Sequence, residues 1–217
     1  MFAVPALTLA QYPAPAAAGT VAISIPAPST VYQPLTPLQK AERRALNLIT
    51  PETLLTSSFS AGIGQWRDTP PQWGEGAEGF GRRFADAEGY IAVHNSIAFG
   101  FDVAFHLDPR YRRMPQARFI PRLRNAVTQT FVANKDAGGK MINVSEIGGN
   151  FGAGMIANEW EPKGYRSVGD GLSRGAFGIG YDVLRNVFRE FGPDLMHPGR
   201  RASSGKISEL EHAFTGQ

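Results

Sequence analysis

The chain has 217 residues, of which 42% are hydrophobic, and it carries no cysteine and a formal net charge of +3. The lack of cysteine excludes disulfides, thiolate metal sites, a lipoprotein anchor and a cysteine nucleophile. A net charge this small does not by itself indicate a polyanionic partner, and no nucleic acid is expected to bind.

The first 36 residues predict a leader that precedes the folded domain. Residues 1–10 are apolar and end in small residues. They are interpreted as the remnant of an export signal, with a short apolar tail as the alternative. Residues 11–36 are rich in proline and alanine and predict a disordered linker. The leader therefore predicts an exported protein of the periplasm or the outer envelope.

Residues 37–193 predict a single, mainly α-helical domain of five or six helices, followed by a mobile polar tail over 194–217. Thr36 and Thr50 each precede a proline, which is typical of a helix N-cap followed by the first helical residue. A polar loop is expected over 134–140. The expected helices cover about 37–48, 51–66, 77–107, 121–131, 145–160 and 167–191.

The expected fourth helix, over 121–131, is amphipathic. Leu123, Val127 and Phe131 recur at spacings of four residues and share one helix face. An apolar stripe at this period normally faces the core. We therefore predict that these three residues lie inside and the arginines of this segment outside.

Glycines at helical spacing predict closely packed helix faces in this domain. Gly148 and Gly152 form one G-x-x-x-G pattern, and Gly171 and Gly175 form another. A glycine inside a helix costs about 1 kcal/mol relative to alanine. A chain that accepts this cost repeatedly gains a close approach of helices in return. We therefore predict that these four glycines lie at helix–helix contacts.

Two segments also match a strand pattern. Aromatic and β-branched residues alternate with small or polar residues over 97–107 and 176–183, as in the strands of outer-membrane proteins. A small outer-membrane β-barrel is therefore the alternative fold. Because such a barrel needs at least about eight strands and only two segments fit, the helical interpretation is favoured.

An arginine-rich stretch follows the long third helix. It predicts either a solvated surface or a contact with an anionic surface, such as that of a membrane, or with an envelope protein. A homo-oligomer is also left open by the sequence. The arginines of this interaction surface are Arg110, Arg112, Arg113, Arg118, Arg122 and Arg124.

Asp102 and His106 form the most informative polar pair. They are four residues apart and would share one face of a helix. An aspartate that orients a histidine begins a general-base arrangement or half of a metal site. The simpler interpretation is a buried pair whose members satisfy each other's hydrogen bonds. A third metal ligand would have to come from Glu88, Glu146 or Glu159.

Ser173 is a weaker catalytic candidate. It lies in a G-x-S-x-G sequence formed by residues 171–175, with His106 or His94 as its potential base. A nucleophile elbow needs a buried strand that leads into the serine, and none is predicted here. His94 lies on an apolar helix face and is interpreted as a core histidine. No cofactor and no metal ion are predicted.

Several longer motifs resemble an uncharacterised family of exported bacterial proteins. They occupy residues 65–76, 79–84, 107–111 and 186–194, within a resemblance that extends over about residues 50–195. The resemblance implies export and a single domain, and it carries no activity or catalytic residue. The sequence as a whole favours a non-enzymatic, envelope-associated structural or interaction protein, with an enzyme or metal site at Asp102 and His106 as the alternative.

Overall fold

A computed structural model describes residues 32–196. The predicted export signal, most of the linker and residues 197–217 of the tail therefore lie outside the described residues. The part that is described is mainly α-helical, as the sequence predicts. Its helices are α1 (Pro37–Leu46), α2 (Pro51–Trp66), α3 (Gly76–Ala104), α4 (Phe119–Phe131), α5 (Val144–Ala157) and α6 (Val168–Met196).

The helix starts follow from local capping chemistry. The Thr36 hydroxyl accepts a hydrogen bond from the Gln39 N–H, and the Gln39 side chain accepts one from the Thr36 N–H. Thr50 caps α2 through its hydroxyl group. Ser167 and Asp170 bond reciprocally at the start of α6. These contacts satisfy N–H groups that have no partner within the helix.

The strand interpretation of the two alternating segments is wrong. Residues 97–104 lie within α3, and all of 176–183 lies within α6. Of the first segment, only Leu107 enters a strand. The alternation in these segments therefore does not correspond to the two faces of a sheet.

A small antiparallel sheet connects α3, α4 and α5. It contains β1 (Leu107–Asp108), β2 (Val132–Lys135) and β3 (Lys140–Ile142), in that spatial order. Val132 pairs with Ile142 across the β2–β3 hairpin. This hairpin includes both ends of the segment that the sequence predicts as a loop.

Helix α6 extends beyond its predicted end. It passes through Pro193 and ends at Met196, although proline removes a helical hydrogen bond. In the turn before Pro193, the Glu190 carbonyl accepts hydrogen bonds from Arg113 and Arg122. Long-range contacts therefore accompany the continuation of the helix. The first three residues of the predicted tail belong to it.

The helices pack in a spatial order that differs from their order along the chain. Helix α3 packs against α1, α2 and α5, and α5 packs between α3 and α6. Helix α4 packs on α6. The interior is therefore formed mainly by α3, α5 and α6. Helix α2 packs on α3 of this core, and α4 packs on α6.

The four predicted packing glycines lie at helix–helix contacts, as expected. A Cβ atom on Gly148 would lie 2.5 Å from the Phe101 ring, and one on Gly152 would lie 2.7 Å from Ile97 Cδ1. Both contacts join α5 to α3 and involve side chains. Gly62, which follows Ser58 by four residues in α2, faces open space instead.

Backbones approach one another closely between α5 and α6. A Cβ atom on Gly171 would lie 3.1 Å from the Gly154 carbonyl oxygen, and one on Gly175 would lie 2.9 Å from Phe151 Cα. A Cβ on Gly154 would overlap the Gly171 carbonyl group. The pattern in α6 therefore marks a true contact between main chains, whereas in α5 the decisive glycine is Gly154.

The side chains of the domain are distributed in the reverse of the usual sense. Among residues 32–196, the buried apolar residues are six alanines and Leu107. By contrast, Trp66 is 85% exposed and Phe177 is 81% exposed. The buried charged or titratable residues are Lys40, Arg44, Arg83, His94, Asp102, Asp108, Arg122, Glu161, Asp182 and Glu190.

Helix α2 shows this reversal at the helical period. Thr53, Ser57 and Ala61 recur every four residues and are buried. The large apolar residues of the helix are exposed, so α2 turns a polar stripe to the core. The exposed apolar residues are Leu54, Leu55, Phe59, Ile63 and Trp66.

Helix α6 repeats the reversal. Asp182, Asn186 and Glu190 are buried at the same four-residue spacing. Seven of its apolar residues are exposed, so the polar stripe again faces the interior. The exposed apolar residues are Val168, Leu172, Phe177, Leu184, Phe188, Leu195 and Met196.

Helix α4 is oriented opposite to the prediction. Arg122 is buried at 1% exposure, whereas Val127 and Phe131 are exposed and Leu123 is half-buried. The prediction assumed that apolar side chains form the core, and it could not include the buried partner of Arg122 on α6.

No helix between residues 32 and 196 has both the length and the apolar content required to cross a membrane.

Candidate functional site

A network of buried charges joins α1, α3 and α5. The Arg44 guanidinium reaches Asp102 Oδ2 through Nε at 2.8 Å, and Glu146 Oε1 through Nη1 at 2.9 Å. Arg44 is thus bonded to carboxylates of two different helices. Because a buried charge without a partner is costly, these bonds fix α1 against α3 and α5.

His94, Glu146 and Asp182 meet beside this network, and we call these three residues the His94 cluster. They come from α3, α5 and α6, and each offers one ligand atom within 4.8 Å of the other two. His94 Nε2 lies 3.3 Å from Glu146 Oε2. Asp182 accepts hydrogen bonds from Arg185 at 2.7 Å and from Asn150 at 2.6 Å.

Glycines make room for this arrangement. A Cβ atom on Gly149 would lie 2.8 Å from the His94 ring. A Cβ on Gly178 would overlap both the Asn150 amide and the Tyr90 hydroxyl, which are joined by a hydrogen bond of 3.0 Å. Gly149 and Gly178 therefore allow polar side chains to occupy the space between α3, α5 and α6.

The carboxylates of the network differ in their pKa. Burial alone would raise the pKa of Glu146, but nearby positive charge, above all that of Arg44, holds it well below its ordinary value. Burial raises the pKa of Asp102 and of Asp182, although Arg44 and Arg185 oppose these shifts. Glu146 is therefore the carboxylate of the network most strongly held in its charged form.

A cavity of about 280 Å³ opens next to the His94 cluster, between α2, α3 and α6. Apolar parts of its wall come from Ala87, Ile91 and Phe177. Since buried polar atoms normally have partners, orphaned ones that converge on a cavity mark a candidate binding site. Four side chains of its wall each carry a buried atom that has no hydrogen-bond partner among the described residues: Ser57 Oγ, His94 Nε2, Tyr181 Oη and Arg185 Nε.

A second buried ionic cluster surrounds Glu190, between α4 and α6. Arg122 Nε lies 3.0 Å from Glu190 Oε1, and Arg122 also pairs with Asp194 at 2.6 Å. The other oxygen, Glu190 Oε2, accepts bonds from Tyr111 at 2.7 Å and from Asn125 at 3.2 Å. The buried guanidinium of α4 is therefore held by carboxylates of α6.

Part of the arginine-rich stretch is directed into the domain as a result. The prediction of an exposed surface of six arginines is wrong at Arg122, which is buried. Arg113 also bonds the Glu190 carbonyl and Asp194. The sequence could not indicate this, because both acceptors belong to a helix that comes much later in the chain.

The remaining arginines of the stretch differ from one another. Arg110 and Arg112 both pair with the buried carboxylate of Asp108. Arg118 and Arg124 are exposed, at the start and on the surface of α4. These last two therefore retain the character of a surface that could meet an anionic partner.

The structure separates the predicted Asp102–His106 pair. Asp102 is buried and bonds Arg44, whereas His106 is exposed two residues beyond the end of α3. His106 has a φ of 54°, so the chain has left the helix and the four-residue spacing no longer places both on one face. The prediction that the two residues share a helix face and bond each other is therefore wrong. Without this contact, the pair has no geometric basis for catalysis or metal binding.

Ser173 is exposed near the start of α6, with helix on both sides of it. It does not lie on a strand-to-helix turn, so residues 171–175 do not form a nucleophile elbow, as the lack of a preceding strand in the sequence indicates. His94 is buried, as a core histidine should be, but its Nε2 has no hydrogen-bond partner among the described residues. In the sequence, Glu146 is a candidate only as a third metal ligand beside Asp102 and His106. The sequence does not indicate that Glu146 lies next to His94.

A comparison of the chain with protein-family models finds no match, and comparisons with curated proteins and with solved structures find none either.

Proposed function

We propose that this chain is an exported, envelope-associated interaction protein whose exposed apolar helix faces contact a lipid bilayer. The observation that carries the proposal is the reversed distribution of side chains, with charged residues inside and large apolar residues outside. Helices α2, α4 and α6 together expose sixteen large apolar side chains. Monomeric proteins in water rarely expose contiguous apolar patches above a few hundred Å².

A lipid phase suits this surface better than a single protein partner. Helix α2 packs on α3, whereas α4 packs on α6, so the exposed apolar residues come from different parts of the fold. A protein interface of standard size covers one patch of about 800 Å² per partner. Acyl chains are fluid and can cover apolar residues on several helices at once.

Helix α4 adds the chemistry of a membrane interface. Phe119 and Ile120 are exposed at its start, beside the exposed Arg118 and Arg124. Apolar residues flanked by arginine are typical of helices that lie in the headgroup region, where the arginines attract anionic lipids. The exposed Trp66 at the end of α2 fits the same region. The apolar leader supports export to the envelope.

Flotation with lipid vesicles tests the proposal. The purified chain is expected to float with vesicles of phosphatidylcholine and phosphatidylglycerol. Phe59→Gln together with Trp66→Gln should weaken binding at least about tenfold, because each removes a large exposed apolar side chain. Ile142→Gln is the matched control, because Ile142 is exposed on the β3 strand and not on these helix faces.

The arginine contribution is tested separately. Arg118→Gln with Arg124→Gln should weaken binding to vesicles that contain phosphatidylglycerol by about tenfold, and it should reduce the effect of salt. Binding to pure phosphatidylcholine should change little. If the chain instead forms a soluble oligomer that buries the apolar faces and does not bind vesicles, the lipid proposal is refuted. The apolar faces would then contact a second copy of the chain.

The location is tested by fractionation of the source cells with a salt wash and a carbonate wash. The chain is expected in the envelope fraction. Recovery from the cytosol alone would contradict both export and the envelope proposal.

A further inference from the structure

We infer that His94, Glu146 and Asp182 bind one divalent first-row metal ion, such as Zn²⁺, at the edge of the cavity between α2, α3 and α6. The three side chains come from three helices, and their ligand atoms lie within 4.8 Å of one another. One imidazole and two carboxylates are ligands that suit zinc, manganese or iron. The site does not depend on the proposed contact with lipid.

The distance between His94 and Glu146 fits a shared metal better than a hydrogen bond. Nε2 and Oε2 are 3.3 Å apart. Two ligands at about 2.0–2.2 Å from a tetrahedral ion are separated by roughly this distance, whereas a good N–H···O bond is about 2.9 Å long. Apart from their ion-pair contact with each other, neither atom forms a hydrogen bond of normal geometry among the described residues. His94 is more than nine-tenths buried, so its orphaned nitrogen points into the site and not into solvent.

The surrounding groups fix the carboxylates and leave ligand positions free. Arg44 bonds Oε1 of Glu146 and not Oε2. Arg185 lies 3.5 Å from Oε2, beyond a normal hydrogen bond. Asp182 is held by Arg185 and Asn150, yet each carboxylate oxygen retains a second lone pair. Such outer contacts commonly orient the ligands of metal sites.

Charge balance in the interior favours a bound cation. Two arginines, Arg44 and Arg185, face three carboxylates, so a bound cation would lie where carboxylates outnumber guanidinium groups. The carboxylates are those of Asp102, Glu146 and Asp182. Two neighbouring ion pairs balance themselves, Lys40 with Asp136 and Arg189 with Glu52. The adjoining cavity leaves space for water or a small ligand at a further coordination position.

Zinc and manganese binding to the tag-free, chelator-treated full chain tests the inference. We expect one Zn²⁺ per chain by calorimetry and elemental analysis, weaker binding of Mn²⁺, and little response to Mg²⁺ or Ca²⁺, for which imidazole is a poor ligand. Zn²⁺ should also raise the unfolding temperature, because it binds the folded state.

His94→Gln is the decisive variant, since His94 makes no hydrogen bond to an arginine within residues 32–196. It should lower Zn²⁺ affinity at least about 100-fold, as loss of a direct ligand must exceed the loss caused by outer contacts. His106→Gln is the matched control, because His106 is exposed outside the cluster, and it should bind like the parent. Circular dichroism establishes that each variant is folded.

Glu146→Gln provides a second arm, since glutamine can still accept a hydrogen bond from Arg44 while it loses the charge of the ligand. If His94→Gln and Glu146→Gln fold and bind Zn²⁺ as tightly as the parent, the ion binds elsewhere and the inference fails. It also fails if the folded parent binds neither Zn²⁺ nor Mn²⁺. Vesicle flotation of the same variants should stay unchanged, so the two proposals fail separately.

Discussion

The inner and outer faces of α2 and α6 differ in the opposite sense from those of most globular helices. Inside, Asp182 and Glu190 lie among hydrogen-bond partners. Outside, Phe59 and Phe177 are exposed. Specific polar contacts therefore position these helices, whereas the apolar residues form the outer surface that we propose to contact lipid. The two faces should respond differently to substitution.

The interior face should give the largest loss of stability. Glu190→Gln removes the charge that pairs with the fully buried Arg122. We expect the free energy of unfolding to fall by about 3 kcal/mol, because the guanidinium stays buried with its compensation reduced. Urea unfolding measures this loss. Glu42→Gln, an exposed control on α1, should change stability by less than about 0.5 kcal/mol.

The contact between α5 and α6 should give the next largest effect. Gly154→Ala places a Cβ against the Gly171 carbonyl and should cost about 1–3 kcal/mol. Gly180→Ala is its matched control, because a Cβ there meets open space. The control should stabilise the chain by about 0.5–1 kcal/mol through helix propensity. Urea unfolding compares both variants, and equal costs would refute specific packing.

The pH dependence of stability should show a smaller contribution from Glu161. Burial, reinforced by Asp86, raises the pKa of Glu161 to about 7, against the effect of Arg174. Since the folded state then binds the proton more tightly, this contribution to stability is complete below about pH 4.5 and is lost as the pH rises through about 7. The loss should reach about 1–2 kcal/mol, because partial screening by solvent reduces the full effect of the shift.

Glu161→Gln should remove this pH dependence, because glutamine resembles the protonated acid. Thermal unfolding of parent and variant between pH 4.5 and 8 measures the difference. Asp170 and Arg166 are the further charged neighbours of the Glu161 side chain. Glu190 provides the contrast, because burial would raise its pKa but its hydrogen bonds lower it. Parallel pH profiles for parent and variant would contradict the prediction.

The outer face should give the smallest effect on stability. Phe59→Gln with Trp66→Gln removes exposed side chains and should change the free energy of unfolding by less than about 1 kcal/mol in detergent-free buffer. The same variant should lose vesicle binding. A large loss of stability without vesicles would mean that these residues belong to the folded core.

The positions of the helices could be predicted from the sequence, because they depend on local chemistry. Thr36, Thr50 and Ser167 cap helices where the sequence places them. The orientation of the helices could not be predicted in the same way. An apolar stripe in α2 or α4 indicates a helix face, but whether that face meets a core or another phase depends on what surrounds the fold.

The candidate site was predictable only in part. His94 and Asp182 are far apart in sequence and meet because α5 packs between α3 and α6. Asp102 and His106 are only four residues apart, and the sequence indicates a metal site there because spacing along the chain is directly visible. A polar residue such as Asp182 inside a glycine-rich apolar helix was the one available signal.

The most direct test of contact between the apolar faces and a bilayer is fluorescence quenching of Trp66 by lipids brominated along their acyl chains. In a chain with Trp73→Phe and Trp160→Phe, Trp66 is the sole tryptophan and reports from the outer end of α2. We predict that brominated vesicles quench its emission and that vesicles protect it from iodide in water. Emission unaffected by brominated lipid, with iodide access unchanged by vesicles, would contradict this contact.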